Sequence, residues 1–341
     1  MRFPIFVPVC KSKTRFNVGY IDQYGKVVVD PIFEEGTLFR EGLASVKVKG
    51  GRWGVIDASG DFVIQPTLWN WCQFREGLAP LASKSGKWGV IDTAGNQVVQ
   101  PKYESIHQFQ EGLALVKDGG SILGRDSARY GFIDRTGAEI IPAQFRKAGD
   151  FSEGLAAVKV ENFWGYIRPT GELAIAPKFD ATGNAKRWPD TRAGKFANGL
   201  APVWVGKDLY NFIDAKGSFV GDVAFDDANG FSEGRAVVGL NDRYGYIDPQ
   251  GRLAIDCRFT LARDFSDGLA KVGVDESRLG FSPNCGFIDV EGQIVILPTF
   301  SSAESFQDGL CLVTTEKSIG YINKSGDFVW QGPFVEYGVV F

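Results

Sequence analysis

Short runs of alternating apolar and polar residues, separated by turn-forming residues, recur along this chain. In one stretch an apolar run (Leu78–Ala82) is followed by a polar turn, a second run (Trp88–Asp92), a D-x-x-G turn and a β-branched run (Gln97–Gln100). Runs of this length that alternate with period two and are bounded by Gly, Pro or Asp are typical of short antiparallel strands. The pattern predicts a meander of three strands, with Pro101 ending the third strand because proline cannot donate to a ladder.

The same pattern returns under one signature, G-[YVF]-I-D-x-x-G, in which Arg168 and Asn323 replace the aspartate in two copies. Its first position is glycine in eight copies and asparagine in one: Gly19, Gly54, Gly89, Gly131, Gly165, Asn211, Gly245, Gly286 and Gly320. A second signature, F-x-[EDN]-G-[LR]-[AC], begins 20 residues later in all but one of its eight copies: Phe39, Phe74, Phe109, Phe151, Phe196, Phe231, Phe265 and Phe306. Agreement at a fixed spacing marks an internal repeat. We therefore predict a single repeat array over residues 1–341, made of nine repeats of about 35 residues.

A repeat of this size cannot bury a hydrophobic core alone, so its aromatic residues are expected to pack between repeats. The predicted fold class is all-β, a tandem array of three-stranded antiparallel units that forms an open β-solenoid-like superhelix. The alternative is a β-propeller-like ring, whose blades have four strands and about 40–45 residues. A fourth strand could lie between Pro101 and Phe109, a segment that otherwise predicts a tight loop or one helical turn.

Several signature positions predict structural roles. The aspartates can accept backbone hydrogen bonds within the turn, and the glycines can take a positive φ there. The tryptophans that precede the signature glycine are expected in the core. These structural positions are Trp53, Trp88, Trp164, Asp57, Asp92, Asp134, Gly60, Gly95 and Gly137.

The Trp-Gly pairs at Trp53-Gly54, Trp88-Gly89 and Trp164-Gly165 resemble the bacterial WG-repeat family, also called the KWG-repeat family. In the other copies the position before the glycine or asparagine holds Val, Tyr, Cys or Ile. The resemblance covers nearly the whole chain and implies a tandem-repeat architecture. It implies no particular activity, because the family is defined by its repeat.

The net charge is −4, and acidic and basic residues are interspersed. This balance argues against a nucleic-acid partner, which would favour a basic excess or stripe. No apolar run approaches the 18 or so residues of a membrane span, so no membrane association is predicted. Residues Met1–Cys10 predict an ordinary mature N-terminus, with Ile5–Val9 as the first strand.

Five cysteines without a C-x-x-C pair predict buried, reduced thiols: Cys10, Cys72, Cys257, Cys285 and Cys311. Reduced thiols favour a cytoplasmic location, and export without a recognisable signal peptide is the alternative.

The residues that catalysis or metal binding would require do not cluster in the sequence. The single histidine, His107, lies at a position that varies between repeats. One aspartate per turn does not supply the several converging oxygens of a calcium site, and no phosphate-binding motif is present. We therefore predict no enzyme activity, no catalytic residues, no metal and no cofactor.

Three insertions interrupt the repeat, at residues 118–129, 183–195 and 273–284. Insertions in a repeat array often map to one face, which is frequently the binding face. The candidate binding residues are Arg187, Trp188, Arg192, Ser121, Leu123, Arg125, Ser277, Arg278 and Leu279. The predicted function is a non-catalytic binding or scaffolding surface for a protein or an extended ligand.

Two alternatives remain open at this point. A glycan-binding or glycan-acting protein would use exposed tryptophans such as Trp69, Trp71 and Trp188 together with paired carboxylates. An exported surface repeat protein is the other alternative.

Overall fold

The computed structural model describes residues 3–8, 16–119, 121–122, 125–126, 129–180, 193–207, 209–274 and 284–333. These residues form β-strands, turns and loops, and no helix occurs among them. The described part of the chain accordingly contains no apolar helix of membrane-crossing length. The all-β prediction is therefore confirmed. The chain divides into two compact units, one within Met1–Phe145 and the other spanning Arg146–Phe334.

The N-terminal unit contains four antiparallel sheets and one additional hairpin. Sheet one consists of β1 (Phe3–Pro8), β2 (Phe16–Ile21) and β3 (Val27–Phe33). Sheet two consists of β4 (Glu35–Gly36), β5 (Leu43–Lys47), β6 (Trp53–Asp57) and β7 (Phe62–Leu68). Sheet three consists of β8 (Leu78–Ala82), β9 (Trp88–Asp92) and β10 (Gln97–Tyr103). Sheet four consists of β11 (Ser105–Ile106), β12 (Leu113–Asp118), β15 (Arg129–Asp134) and β16 (Glu139–Phe145), and the hairpin consists of β13 (Ser121–Ile122) and β14 (Arg125–Asp126).

The C-terminal unit contains five antiparallel sheets. Sheet five consists of β17 (Lys147–Ala148), β18 (Ala156–Val160), β19 (Phe163–Ile167) and β20 (Leu173–Asp180), and sheet six of β21 (Leu200–Gly206), β22 (Leu209–Asp214) and β23 (Phe219–Phe225). Sheet seven consists of β24 (Asp227–Ser232), β25 (Arg235–Leu240), β26 (Arg243–Ile247) and β27 (Leu253–Phe259). Sheet eight consists of β28 (Leu261–Ala262), β29 (Ala270–Gly273), β30 (Cys285–Ile288) and β31 (Ile294–Phe300), and sheet nine of β32 (Ser302–Ala303), β33 (Leu310–Thr314), β34 (Ser318–Asn323) and β35 (Phe328–Pro333).

Six of these nine described sheets have four strands, so the three-stranded repeat predicted from the sequence is wrong for most of the array. In sheet four the extra strand pairs Ser105 with Lys117 and Ile106 with Val116. It lies between Pro101 and Phe109, where the sequence predicted a tight loop or a helical turn and, in the propeller alternative, a fourth strand. A four-stranded meander is the blade of a propeller, so the argument from three strands for an open β-solenoid-like superhelix is not supported.

The third predicted strand also continues past its proline. Strand β10 extends through Pro101 to Tyr103, and its pairing with β9 contains two register shifts. A bulge accommodates a residue that has no N–H to donate, which is why the proline does not end the strand. The first strand begins at Phe3 instead of the predicted Ile5.

The bulge explains why the repeat signature begins with glycine. A Cβ atom at Gly165 would lie 2.6 Å from the Ile175 carbonyl oxygen and 2.8 Å from the Pro177 nitrogen. The backbones of the second and third strands therefore lie so close together at this position that no side chain fits between them. Asn211 is tolerated in sheet six because the third strand there carries Gly221, with a φ of 81°, and pairs in a different register.

The hydrophobic core is shared between consecutive sheets. One cluster combines Val18 and Tyr20 of sheet one with Phe39, Val46 and Ile56 of the next repeat. The ring centroids of Tyr20 and Phe39 lie 4.9 Å apart in an edge-to-face arrangement. Equivalent pairs are Tyr166–Phe196, Phe212–Phe231 and Phe287–Phe306. The prediction that aromatic residues pack between repeats is confirmed within each unit.

The signature tryptophans contribute to these clusters. Trp53 and Trp164 are buried. Trp88 is partly buried against the cluster that joins sheets three and four.

The aspartates of the signature hold the hairpin turn between the second and third strands. The Asp57 Oδ1 atom accepts N–H bonds from Ser59 at 2.9 Å and from Asp61 at 3.1 Å, and Gly60 takes a φ of 95°. The Ser59 hydroxyl also donates to this carboxylate and, with the backbone donors, lowers the pKa of Asp57 below its usual range. The same pair of backbone bonds forms at Asp92 and Asp134, followed by Gly95 and Gly137 at positive φ.

Candidate binding site

Most of the predicted binding residues lie outside the described part of the chain. These are Arg187, Trp188, Arg192, Leu123, Ser277, Arg278 and Leu279. Ser121 and Arg125 lie on the β13–β14 hairpin, where Ser121 pairs with Asp126 and Ile122 pairs with Arg125. The first insertion therefore contains a hairpin of its own, and a binding role for all three insertions stays a prediction.

The repeated acidic residues connect successive turns. Glu41 and Gly42 both have positive φ, 50° and 78°, as a two-residue type I′ hairpin requires. The Glu41 carboxylate accepts N–H bonds from Glu76 at 2.6 Å and from Gly77 at 2.9 Å in the next repeat. The same kind of bond joins Glu76 to Gly112, Glu153 to Gly199, Glu233 to Asp267 and Gly268, and Asp267 to Gly309. These carboxylates are engaged in holding neighbouring repeats together.

No group of three or more His, Cys, Asp or Glu side chains suited to a metal ion is found among the described residues. The four described cysteines, Cys72, Cys257, Cys285 and Cys311, are free thiols. Burial raises the pKa of the Cys72 thiol to about 11 and that of Cys311 to about 12. Few thiolates are therefore present at neutral pH, which makes both thiols poor nucleophiles.

Sheet three departs from its neighbours at the edge where most other repeats carry the short fourth strand, and no such strand is described for it. The second residue of that strand is buried or half-buried in the other repeats: Gly36, Ile106, Ala148, Ala228, Ala262 and Ala303. At Gly36 a Cβ atom would lie 2.5 Å from the Tyr20 hydroxyl oxygen, so this position has little room. The corresponding residue of the second repeat is Trp71, whose side chain is 46% exposed.

Three hydrogen bonds hold this segment in place without the fourth strand. The Cys72 N–H donates to Ser45 Oγ at 3.0 Å, and the same hydroxyl donates back to the Cys72 carbonyl oxygen at 2.6 Å. The Asn70 side-chain amide donates to the Ala82 carbonyl oxygen at 3.2 Å. Cys72 is thereby buried while the indole that precedes it faces solvent.

A second exposed tryptophan, Trp69, carries two cations over its ring. The Arg52 guanidinium carbon lies 3.7 Å from the ring centroid, and the Lys84 ammonium lies 5.0 Å from it. Arg52 also donates from Nη1 to the Thr67 carbonyl oxygen at 3.1 Å. Three connecting segments of sheets two and three thus meet here, and we call Arg52, Trp69, Trp71 and Lys84 the tryptophan patch.

The tryptophan patch is locally cationic. Within the described chain, no carboxylate lies within 4.0 Å of the charged nitrogens of Arg52 or Lys84. Two nearby lysines are neutralised, since Lys47 pairs with Glu35 and Lys87 pairs with Glu104, each at 2.5 Å. A guanidinium has five N–H donors, of which one is bonded to Thr67. The patch can therefore offer several charged donors beside an exposed indole.

A cavity of about 550 Å³ in the C-terminal unit is a weaker candidate. It is lined by Arg258, Phe259, Val274, Gly292, Gln293 and Ile294. Its one cationic group, Arg258, already donates to the Gly292 carbonyl oxygen at 2.7 Å. The cavity therefore offers a single cation and no tryptophan in its lining, whereas the tryptophan patch has two cations and two exposed tryptophans.

Sequence reasoning singled out Trp69 and Trp71 only as a possible sugar-stacking platform, and it missed Arg52 and Lys84. Aligning the repeats would have singled out Trp71, because it falls where four other repeats have alanine. The two cations gave no comparable signal, since lysine and arginine are common in these hairpin loops.

Comparisons with known proteins identify the repeats and give no information about the tryptophan patch. The model of the "WG containing repeat" matches residues 19–52, 53–84, 88–121, 130–162, 164–186, 212–244, 244–276 and 286–317. No curated protein has a sequence that matches this chain.

Among solved structures, the chain is similar to the computationally designed Ika8 protein, with 12% identity, a TM-score of 0.48 and coverage of 87% of this chain and 95% of that one. It is also similar to BamB from Moraxella catarrhalis, with 12% identity, a TM-score of 0.39 and coverage of 96% and 94%. Sqt1 from Saccharomyces cerevisiae has 11% identity, a TM-score of 0.44 and coverage of 86% and 93%. Likenesses of this strength carry no argument about function.

Proposed function

Because the chain belongs to the family built from the WG containing repeat, we propose that it is a non-catalytic scaffold whose tryptophan patch binds a protein partner. Within each unit the repeats supply a rigid frame, since successive sheets share hydrophobic cores and several acidic turns are bonded to the next turn. Trp71 departs from the residue type that other repeats have at its position, and we place the interaction with the protein partner there.

The observation that carries the proposal is the exposure of two tryptophans in the segment that connects sheets two and three. Trp69 and Trp71 are 48% and 46% exposed, although other repeats put a small or buried residue at the position of Trp71. Covering an exposed indole with a partner is favourable because it removes apolar surface from water. Tryptophan and arginine are also the residues most enriched at the energetic centres of protein interfaces.

We also propose that the nine sheets act as the blades of a propeller-like scaffold instead of an open superhelix. The support is local: four-stranded meanders and a core shared between successive sheets. Small-angle X-ray scattering by the full chain tests this proposal, because an elongated particle would contradict it.

Glycan binding is the second candidate function, since exposed indoles can stack on sugar rings. Arg52 covers Trp69 at 3.7 Å, however, which leaves Trp71 as the indole of the patch without a ring or cation contact in the described chain. The Asn70 amide, which could bind a sugar hydroxyl, is bonded to the Ala82 carbonyl. The geometry therefore supports a protein partner better.

Photo-crosslinking tests the proposal directly. The photoreactive residue p-benzoylphenylalanine replaces Trp71 in one variant and Tyr24, an aromatic residue 78% exposed in the same unit, in a matched control. We expect cells of the source organism to yield a discrete protein adduct from position 71 and none of the same mass from position 24. Absence of any protein adduct from position 71, or the same adducts from both positions, would contradict the proposal.

A further inference from the structure

We propose that the tryptophan patch recognises an acidic segment of its protein partner, with carboxylates against Arg52 and Lys84 and a neighbouring apolar side chain on Trp71. The inference rests on the proposed scaffold function and specifies the chemistry of the partner.

The charge of the patch favours an anionic partner. The whole chain carries a net charge of −4, but the patch presents two cations that no described carboxylate neutralises. Adjacent cations repel one another unless an anion joins them. A partner carboxylate would relieve this repulsion and would form charge-assisted hydrogen bonds, which are stronger than neutral ones.

The Arg52 guanidinium is preorganised for binding. Arg52 is held from two directions, by stacking on Trp69 at 3.7 Å and by its bond to the Thr67 carbonyl at 3.1 Å. A guanidinium that is already oriented loses less side-chain entropy when it binds a carboxylate with two parallel N–H bonds. Trp69 thus serves mainly to position Arg52.

Trp71 adds apolar surface to the patch. Trp71 is one residue beyond Asn70, exposed, and free of a ring or cation contact in the described chain. A free carboxylate or phosphate would leave this indole uncovered. Side chains two residues apart in an extended peptide lie on the same face, so an acidic residue on Arg52 can place an apolar side chain two positions away on Trp71.

The experiment measures fluorescence anisotropy of a labelled probe with the full chain. The probe is a fluorescein-labelled peptide of about twelve residues with the repeat Glu-Ser-Phe-Ser, which puts glutamate and phenylalanine on one face of an extended chain. The matched probe replaces each glutamate with glutamine. We expect the glutamate peptide to bind about tenfold or more tightly than the glutamine peptide. Binding should weaken when NaCl is raised from about 50 to about 300 mM, because exposed charges are screened.

Variants of the patch locate the binding. The double variant Arg52→Ala/Lys84→Ala and the single variant Trp71→Ala should each weaken glutamate-peptide binding by about tenfold or more. Lys26→Ala removes an exposed charge from another hairpin of the same unit and should leave the dissociation constant unchanged. Far-ultraviolet circular dichroism of each variant verifies the fold.

Equal binding of the glutamate and glutamine peptides, or equal binding by wild type and the double variant, would overturn the inference. Patch-dependent binding of oligogalacturonate without binding of the peptide would also overturn it and would identify an acidic glycan instead. If position 71 crosslinks a protein but the peptide does not bind, the scaffold function stands and only the acidic partner segment is wrong.

Discussion

Replacing Gly165 with alanine is expected to lower the free energy of unfolding by about 3 kcal/mol. The new Cβ atom would meet backbone, with the Ile175 carbonyl oxygen at 2.6 Å and the Pro177 Cα atom at 2.9 Å. Backbone cannot rotate away as a flexible side chain can, so the bulge itself must shift. Urea titration followed by tryptophan fluorescence measures the loss.

Asn211→Ala is the matched control, because Asn211 occupies the same column in sheet six. There the third strand carries Gly221 and pairs Phe212 with Val220, so a side chain already fits. We expect the free energy of unfolding to fall by less than about 1 kcal/mol. Equal losses at the two positions would show that close approach of the third strand does not explain the signature glycine.

The second large effect is expected for Trp164→Ala, which should lower the free energy of unfolding by about 3–5 kcal/mol. Trp164 is 2% exposed and belongs to a cluster that includes Phe179 of its own sheet and Val203 of the next. Its removal leaves a cavity in the core that these two sheets share. The same urea titration measures it.

Trp69→Ala provides the contrast for this prediction. Its ring is 48% exposed and has the Arg52 and Lys84 cations over it, so we expect a loss below about 1 kcal/mol. A loss at Trp69 as large as the loss at Trp164 would mean that the tryptophan patch is part of the core.

The local strands follow from the sequence because alternation and turn residues are local signals. The predicted strands Leu78–Ala82 and Trp88–Asp92 match the structure residue for residue. Packing of aromatic residues between repeats also followed, since a repeat of about 35 residues cannot bury its own rings. These inferences used only spacing and composition.

The sequence favoured three strands because the fourth strand, which the propeller alternative allowed, has only two residues in five of the six sheets that contain it. Ser105 and Ile106 form a strand only by pairing with Lys117 and Val116, and two residues carry no period. The mistake mattered, because the strand number was the main argument between a superhelix and a propeller. The third strand was cut short at Pro101 for a related reason, since a bulge is a property of the pairing.

The tryptophan patch could be only half predicted. Trp69 and Trp71 are conspicuous in the sequence, whereas Arg52 and Lys84 lie on hairpin loops of two different sheets and join them only in the folded chain. Most of the predicted insertion residues, such as Trp188, lie outside the described chain, and a binding role for all of them remains a prediction.

Equilibrium unfolding of Trp71→Ala tests most directly the claim that this tryptophan serves a partner and not the fold. Alanine is the residue that Ala148, Ala228, Ala262 and Ala303 supply at this position of other repeats. We predict that the urea midpoint of Trp71→Ala equals or exceeds that of wild type, because the small side chain fits the edge of the sheet. A loss of about 2 kcal/mol or more, as expected for a core residue, would contradict it.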